Sequence, residues 1–487
     1  MTQPTVNGTH CFGQPEGLAP SKDYSATVNG KAVFVYEARA SARATGEWWP
    51  GFQRPIEESE LTAFINIELD GSAQIDITYH HDILRWVKVK PERQGVEAEI
   101  LQRKNNEGQF RLNIDKPGVY VCEIDTIHCP VYVFANAPEI DVPNPEDEHV
   151  LYYGPGVHTV GAIHLKDGQH LYIAGGAVVY GYIDTEDAAD VKISGRGVLD
   201  ASIYERNTPA EDAAPHVKAF PRGPYLLHMK GCTNLEVSGI IIKDAPFWTF
   251  VMTKCQNVVI RNVKVVGGWR YNSDGIDVVN CKNVLIEESF IRAYDDCICL
   301  KGREETSGYQ TDFANCEDIT VRNCVLWNDW GVAIKVGTET MAREMCHMLF
   351  ENIDILYYCD QPFAIQSGDF AHIHDITLRD IRIGDAVDYH IEPTFLLFNI
   401  YARDARTRQF IGYYQSGENP SQTPTSGIHK IHFENITNNS YGLLPISVSG
   451  LSDQNRTSEI TFKNIRFTRF PEAKVEDLVQ CNEFASV

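Results

Sequence analysis

The chain has 487 residues, of which 43% are hydrophobic and 22% are charged. This composition excludes a disordered protein, and the length is enough for two domains or for one domain followed by a repeat array. Acidic residues outnumber basic residues by 66 to 43, which gives a formal net charge of −23. A surface this negative repels nucleic acid and acidic membranes, and it disfavours polyanionic glycans. No run approaches the roughly 18 consecutive apolar residues of a membrane span, so neither nucleic acid nor a membrane is an expected partner.

The first third of the chain predicts short strands in which apolar and polar residues alternate. The clearest segments are 32–36, 61–67, 74–78, 110–114 and 119–122. Period-two alternation interrupted by turn signals is typical of an antiparallel sandwich. A proline-rich, acidic segment then indicates a linker. We therefore expect an N-terminal β-sandwich domain with its linker at 1–145 and a second domain at 146–487.

A six-residue phrase recurs through the second domain. It reads apolar, any, apolar, any, a small or polar residue, then usually another apolar residue, and its copies begin at Leu235, Val258, Val284, Ile319, Met348, Ile376, Ile431 and Ile460. Successive copies start 23 to 55 residues apart, and no helical periodicity of useful length lies between them. Strand-like units that repeat at this spacing predict a solenoid of stacked β-coils. The longer segments at 201–223, 302–315 and 384–428 are predicted to be loops that leave the stack and wall a cleft.

Two smaller repeats support the stacking. An Asn ends five copies of the phrase, where it can adopt left-handed geometry and bond its neighbour in the next coil: Asn262, Asn323, Asn352, Asn435 and Asn464. A Cys precedes four copies, at Cys232, Cys255, Cys281 and Cys316. Residues at one position per coil are separated by the coil rise of about 4.8 Å, so we expect a packing ladder rather than a metal site.

The cysteine content and the first residues bear on location. Thirteen cysteines cannot all pair within one chain, and none forms a Cys-x-x-Cys pair or a cluster with zinc-like spacing. The interpretation is reduced, buried thiols in a cytosolic protein. The first thirty residues carry no basic and apolar leader pattern, which favours a cytoplasmic location, or secretion if a leader has been removed.

Three aspartates carry the chemical interpretation. Asp274 is followed 21 residues later by the pair Asp295-Asp296, and about one coil of chain separates them. We therefore expect the three carboxyl groups to share one face, where they raise one another's pKa so that one acts as acid and another as base. Turn residues at coil corners and a calcium site remain open as alternatives.

The surrounding motifs resemble a known family. Asn272-Ser273-Asp274-Gly275, followed by Asp295-Asp296-Cys297, is similar to the Asn-Thr-Asp-Gly and Asp-Asp-Cys motifs of polygalacturonase-type enzymes, glycoside hydrolase family 28. An N-terminal sandwich before the helix resembles the layout of family 49, the dextranases and isopullulanases. The resemblance implies a right-handed parallel β-helix and an inverting displacement. It implies that Asp295 protonates the leaving oxygen while Asp274 and Asp296 hold and deprotonate water.

Departures from the family pattern bear on the substrate. Where the family has Gly-His-Gly this chain has Asp329-Trp330-Gly331, and where it has Arg-Ile-Lys this chain has Ala364-Ile365-Gln366, or Ala333-Ile334-Lys335 in another register. Losing a bidentate Arg–carboxylate contact makes galacturonate an unfavourable substrate and favours a neutral sugar. The candidate substrate-binding residues are Asn272, Trp269, Arg270, Lys301, Trp330, Lys335 and Gln366. Trp269 and Trp330 either contact the sugar or serve ordinary packing, and Lys301 either points into the cleft or caps a coil. Glu339 is either a sugar-binding or a solvated turn carboxylate. The segment 48–55 either packs on the helix or lends Arg54 to the cleft.

The resulting hypothesis is an all-β hydrolase: a right-handed parallel β-helix preceded by an N-terminal antiparallel β-sandwich. It cleaves α-glycosidic bonds of a neutral oligo- or polysaccharide and needs no cofactor or metal. Two alternatives remain: a polygalacturonase or β-helix lyase acting on pectin-like glycans, and a non-catalytic carbohydrate-binding β-helix protein. A homo-oligomer stays open.

Overall fold

A computed structural model describes residues 8–42, 54–81, 84–104, 107–205, 224–303, 314–386, 398–402 and 427–487. Apart from three short 3-10 turns, the regular elements of these residues are all strands. The first eleven are β1 (Thr9–Cys11), β2 (Tyr24–Val28), β3 (Lys31–Val33), β4 (Tyr36–Ser41), β5 (Ser59–Leu69), β6 (Ala73–Tyr79), β7 (Val87–Lys90), β8 (Glu99–Lys104), β9 (Glu107–Ile114), β10 (Gly118–Ile124) and β11 (Val131–Asn136).

These eleven strands form the two sheets of a β-sandwich. One sheet has the order β1-β5-β11-β10-β7 with β4 on β5, and the other has the order β3-β2-β6-β9-β8. Neighbours are antiparallel except for β5 and β11, which are parallel. Alternating residues such as Ile75, Ile77 and Phe110 fill the space between the sheets, which is the packing that period-two alternation predicts.

The remaining strands form a right-handed parallel β-helix. They are β12 (Val150–Tyr153), β13 (Gly156–Ile163), β14 (His170–Ile173), β15 (Ala177–Glu186), β16 (Lys192–Gly195), β17 (Val198–Asp200), β18 (Leu227–Lys230), β19 (Thr233–Ser238), β20 (Ile241–Lys243), β21 (Phe250–Thr253), β22 (Gln256–Arg261), β23 (Lys264–Val266), β24 (Ile276–Val279), β25 (Lys282–Glu287), β26 (Phe290–Ala293), β27 (Ile298–Gly302), β28 (Cys316–Arg322), β29 (Val325–Asn328), β30 (Val332–Thr340), β31 (Glu344–Glu351), β32 (Asp354–Tyr358), β33 (Gln361–Ser367), β34 (His372–Arg379), β35 (Arg382–Ala386), β36 (Phe398–Ala402), β37 (Ile428–Glu434), β38 (Thr437–Asn438), β39 (Ile446–Ser449), β40 (Thr457–Lys463), β41 (Arg466–Phe467) and β42 (Val479–Cys481).

From β16 onward each coil contributes three strands, and each strand pairs in parallel with the strand three places along the chain. The strands β12 to β14 pair with the strand two places along, and β15 pairs with both β17 and β18. The strands β12, β14, β16, β19, β22, β25, β28, β31, β34, β37 and β40 form one eleven-stranded sheet. Every copy of the repeated phrase lies on this sheet, at β19 and on each later strand. The fold class predicted from the repeat is therefore confirmed. The segment 384–428 was predicted to be a loop, but strand β36 lies inside it, so the prediction is wrong for residues 398–402. Most of the other predicted loop residues lie outside the described part of the chain.

The corner and cysteine ladders are present as predicted. Asn352 donates to Asn323 at 2.7 Å and Asn464 donates to Asn435 at 2.7 Å, and all four have φ between 53° and 57°. The cysteines of the second ladder are free and buried, and the backbone N–H of Cys255 lies 3.3 Å from the sulfur of the next one. Stacking of identical groups one coil apart ties the coils together at both edges of the sheet.

The sandwich packs on one face of the helix. Aromatic residues of its first sheet, such as Phe64 and Phe134, share an apolar cluster with outward residues of the helix, such as Phe290 and Trp327. Buried Arg292 crosses this interface: its guanidinium donates to the Asp329 carboxylate, to the Tyr132 hydroxyl at 2.8 Å and to Glu60 at 3.3 Å. The sandwich and the helix are therefore joined by a shared apolar cluster and a buried ion-pair network. Within the described residues there is no helix long and apolar enough to cross a membrane.

Candidate active site

The three aspartates lie at the entry to two stacked strands. Asp274 immediately precedes β24 and the Asp295-Asp296 pair precedes β27. Ile276 pairs with Ile298, an offset of 22 residues, and the Gly275 N–H donates to the Asp296 carbonyl at 2.8 Å. In this register Asp274 stacks directly on Asp296 of the next coil, and Asp295 precedes Asp296 by one residue. The convergence expected from the spacing occurs, with the register displaced by one residue.

Two glycines allow the close approach of these coils. A Cβ on Gly275 would lie 2.3 Å from the Cys297 carbonyl oxygen, and a Cβ on Gly331 would lie 2.5 Å from Asp295 Oδ1 and 2.8 Å from the Asp296 nitrogen. Any side chain at either position would push the carboxylates out of place. The glycines of the two motifs are thus needed for space around the aspartates.

Asp274 is almost fully buried, and one of its oxygens is held by a lysine. Lys301 Nζ lies 2.9 Å from Asp274 Oδ2. Burial raises the pKa of Asp274 to about 6; Lys301 lowers it and Asp296 raises it by lesser amounts. The other oxygen, Oδ1, is buried and has no hydrogen-bond partner among the described residues. A carboxylate held in place by a lysine, with a pKa of about 6, can act as a general base near neutral pH.

Lys301 is a buried cation that serves two carboxylates. Its Nζ lies 2.6 Å from Asp277 as well as 2.9 Å from Asp274, and it sits 3.6 Å from the centre of the Trp248 ring. Burial disfavours the ammonium, but Asp274 and Asp277 more than offset this and raise the pKa of Lys301 well above its ordinary value. Lys301 was predicted to bind substrate. With 3% of its surface exposed, it contacts Asp274 and Asp277, and a contact with substrate stays a prediction.

Asp295 has the surroundings of a protonated acid. Burial raises its pKa well above the ordinary value, and the neighbouring Asp274 and Asp296 carboxylates raise it further. The Asn272 side-chain amide donates to Asp295 Oδ2 at 3.2 Å, and the Asn328 amide donates to the Asp295 backbone carbonyl at 2.6 Å. These contacts fix both the side chain and the backbone of the most exposed of the three aspartates.

Asp296 is anchored by the following coil. The Val332 N–H donates to Asp296 Oδ1 at 2.9 Å, and Lys335 Nζ lies 3.0 Å from Asp296 Oδ2. Burial disfavours the Lys335 ammonium, but Asp296, Cys299 and Asp295 together outweigh this and raise its pKa above the ordinary value. The register that places Ala333-Ile334-Lys335 beside the aspartates is the one observed, and Ala364-Ile365-Gln366 lies one coil further on.

An aromatic wall flanks the aspartates. Trp330 is half-buried and stacks on Tyr294, with ring centres 5.3 Å apart and planes 11° apart, and it meets the Tyr271 ring edge-on. The Arg54 guanidinium lies 4.2 Å over the Tyr294 ring and donates to the Trp269 carbonyl at 2.9 Å. Arg54 thus packs from the sandwich beneath this wall; residues 48–53 lie outside the described chain.

The other predicted binding residues, Trp269, Arg270 and Gln366, make no contact with the three aspartates that the structure records. The Trp269 side chain is buried beneath the Arg270 guanidinium, which lies 4.8 Å from its ring. Arg270 is itself buried and donates to the Asp244 carbonyl at 3.2 Å, so both side chains lie inside the protein, and their contact with substrate stays a prediction. Gln366 accepts a hydrogen bond from the Thr338 hydroxyl at 2.8 Å. Asp329, in the segment matched to Gly-His-Gly, pairs with Arg292 at the sandwich interface instead of facing the aspartates.

Sequence reasoning missed Asp277 as a member of the site and left the role of Glu339 open. Asp277 is fully buried, and burial raises its pKa well above the ordinary value; an acidic residue inside an apolar strand was the available signal. Burial also disfavours the Glu339 carboxylate, but Lys301, Arg303 and Lys335 more than offset this and lower its pKa. The site is therefore an alternating cluster of carboxylates and cations rather than an isolated acidic trio.

The comparisons with known proteins agree with this geometry. Residues 180–382 match the model of glycosyl hydrolases family 28. The chain is 29% identical to an exopolygalacturonase of Arabidopsis thaliana over 33% of its length and 44% of that protein. It is 24% identical to a dextranase of Arthrobacter sp. (strain CB-8) over 40% of its length and 30% of that protein. The chain thus spans less than half the length of these two relatives.

Among solved structures, Dex49A from Penicillium minioluteum shares the fold over the whole chain. The TM-score is 0.61 at 16% identity, covering 99% of this chain and 89% of that one. The match includes the N-terminal sandwich as well as the helix. The resemblance predicted from the aspartate motifs, to glycosyl hydrolases family 28 with a family 49-like two-domain layout, is therefore confirmed.

Proposed function

We propose that this protein is a glycoside hydrolase that cleaves an α-glycosidic bond in a neutral oligo- or polysaccharide by single, inverting displacement. The observation that carries the proposal is the unequal environment of the stacked carboxyls. Asp295 has a strongly raised pKa, whereas Asp274 is held by Lys301 and its pKa is about 6. Near neutral pH one group carries a proton while the other is ionised, which is the division that glycoside hydrolysis requires.

The roles follow from these environments. Asp295 donates its proton to the leaving glycosidic oxygen, because it is the protonated and least buried of the three. Asp274 takes a proton from the attacking water, and Asp296 helps to hold that water. Asn272 and Asn328 keep Asp295 at its position. The atoms balance: the bond from the sugar to the leaving oxygen breaks, and water supplies a hydroxyl to the sugar and a proton to Asp274.

The charge at the site favours a neutral sugar. Both lysines beside the aspartates are engaged: Lys301 with Asp274 and Asp277, and Lys335 with Asp296. In the register beside the aspartates, Ala333 stands where the family pattern has Arg, so one of its two cations is lost and only Lys335 remains. A uronate would bring another negative charge into a cluster already rich in carboxylates. The stacked face of Trp330 suits the apolar face of a pyranose ring.

One observation favours a second candidate, hydrolysis of a polyuronide. Lys335 Nζ is only partly buried at the edge of the carboxylate cluster, and a lysine has three donors of which Asp296 uses one. A substrate carboxylate could use another. An exopolygalacturonase is among the relatives. Polygalacturonate is therefore included among the substrates to be tested.

The experiment is hydrolysis of a panel of purified glycans by the wild-type chain and two variants. The panel contains neutral α-glucans and polygalacturonate, and reducing ends are measured. We expect release from at least one neutral α-glycan, with Asp295→Asn lowering kcat about 10²- to 10⁴-fold. Asp453→Asn is the matched control, since Asp453 is a solvent-exposed partner of Arg456. Release from polygalacturonate alone would overturn the substrate proposal, and full activity of Asp295→Asn would overturn the mechanism.

A further inference from the structure

A group of histidines lies on the outer face of the eleven-stranded sheet, away from the aspartates. His372 and His374 are two residues apart on β34, so both side chains project outward while Ile373 between them enters the core. The parallel register places Glu344 of β31 beside His372. It also places His429 of β37 beside His374. Three successive coils thus bring nitrogen and oxygen ligands to one patch of surface.

The ligand atoms are close enough to share an ion. One ligand atom each from Glu344, His372 and His374 lies within 4.8 Å of the others. The His372 Nε2 and His429 Nδ1 atoms are 3.1 Å apart. Ligands bonded to Zn²⁺ at about 2.0–2.1 Å in a tetrahedron stand roughly 3.3 Å from one another. Small rotations of these partly buried side chains on the sheet therefore complete such a set.

A carboxylate orients one of the candidate ligands. His374 Nδ1 donates to Asp375 Oδ2 at 2.7 Å, which leaves Nε2 as the lone-pair nitrogen. A histidine ligand whose other ring nitrogen donates to a carboxylate is the usual arrangement around protein-bound transition metals. The other oxygen of the Asp375 carboxylate is 3.8 Å from the Lys430 ammonium. His374 Nε2 is thus the ring nitrogen available to an ion, while the ring itself stacks on that of His429, with centres 5.1 Å apart and planes 15° apart.

We propose that Glu344, His372 and His374, with His429 as the fourth group, form a binding site for a divalent transition metal ion of the Zn²⁺ class. Imidazole ligands select such ions over Mg²⁺ and Ca²⁺, which prefer sets made of oxygen alone. The ligands come from β31, β34 and β37, so a bound ion cross-links three successive coils. It stands on a different sheet from Asp274 and Asp295 and takes no part in the hydrolysis.

The test is direct metal binding by the full chain carrying no histidine tag. The chain is freed of metal with a chelator and titrated with ZnCl₂ by calorimetry, and the metal retained after gel filtration is counted by mass spectrometry. We expect one Zn²⁺ per chain and a rise in the unfolding temperature with added zinc. The variant Asp375→Asn should weaken binding about 10- to 100-fold, and His374→Ala should weaken it at least as much.

The matched control is His432→Ala. His432 lies on β37 of the same sheet face, but its ring bonds Thr461 and it is not part of the cluster. This control should bind zinc as the wild type does. Equal zinc binding by wild type and His374→Ala, or no binding at millimolar ZnCl₂, would overturn the proposal. Since all these side chains project outward, circular dichroism should show the same fold in every variant.

Discussion

Replacing Lys301 with methionine tests how the site sets the pKa of its base. Lys301 Nζ stands 2.9 Å from Asp274 and 2.6 Å from Asp277, and all three groups are buried. Methionine keeps most of the side-chain length and its packing on Trp248 but removes the charge. Two carboxyl groups are then left in the interior without their cation.

The size of the effect follows from these contacts. An opposite charge at this distance shifts a carboxyl pKa by about 1–3 units, so the pKa of Asp274 should rise from about 6 by that amount. Because the base must be ionised, the acid limb of kcat/KM against pH moves upward by the same interval. Near pH 6 the rate falls about tenfold or more, and part of it returns at higher pH. Removing one partner of a buried ion pair also costs about 3–5 kcal/mol of stability.

The assay is a pH–rate profile of kcat/KM on the glycan identified in the panel, with folding checked by circular dichroism. Lys282→Met is the matched control, because Lys282 forms an exposed ion pair with Glu317 outside the site; it should leave the profile unchanged. An acid limb in Lys301→Met at the wild-type position, with the fold intact, would refute the assignment of Lys301 as the residue that holds Asp274 ionised.

Three further predictions use other parts of the structure. In the wild type, kcat/KM should fall about tenfold per pH unit below pH 6 as Asp274 takes up a proton, and a flat profile down to about pH 4 would contradict its role as base. Gly331→Ala should lower kcat about 10²-fold, because the added methyl would displace Asp295; Gly442→Ala, with no neighbour closer than 3.7 Å, is its control, and equal losses in both would contradict the argument. Arg292→Met should cost about 3–5 kcal/mol, because the buried Asp329 and Glu60 lose their cation; unchanged denaturant unfolding would contradict it.

Much of the fold was predictable because it repeats. Each coil presents the same alternation of apolar residues and the same corner Asn, so the sequence displays the period directly. The sandwich was predicted from strands in which apolar and polar residues alternate and from the turn residues between them. Strand β36 was missed because its segment, 384–428, carries no copy of the phrase and is long enough to suggest only a loop.

The site was predictable in part. The aspartates were found because coil spacing converts sequence distance into contact. The contacts of Lys301 and Arg270 with buried polar groups were not predicted. Whether a cation faces solvent or the protein interior depends on which side of the chain it occupies. A one-residue error in register reverses that side. Asp277 was passed over because its neighbours are apolar and nothing in the sequence shows that a lysine one coil away supplies its counter-charge.

The central claim is that water attacks in one step while Asp295 protonates the leaving group. Proton NMR of the first product released from an α-linked substrate tests it most directly. The account predicts that the new reducing end appears as the β-anomer and converts to the α-anomer only by mutarotation. Initial release of the α-anomer, or of an unsaturated sugar, would contradict it.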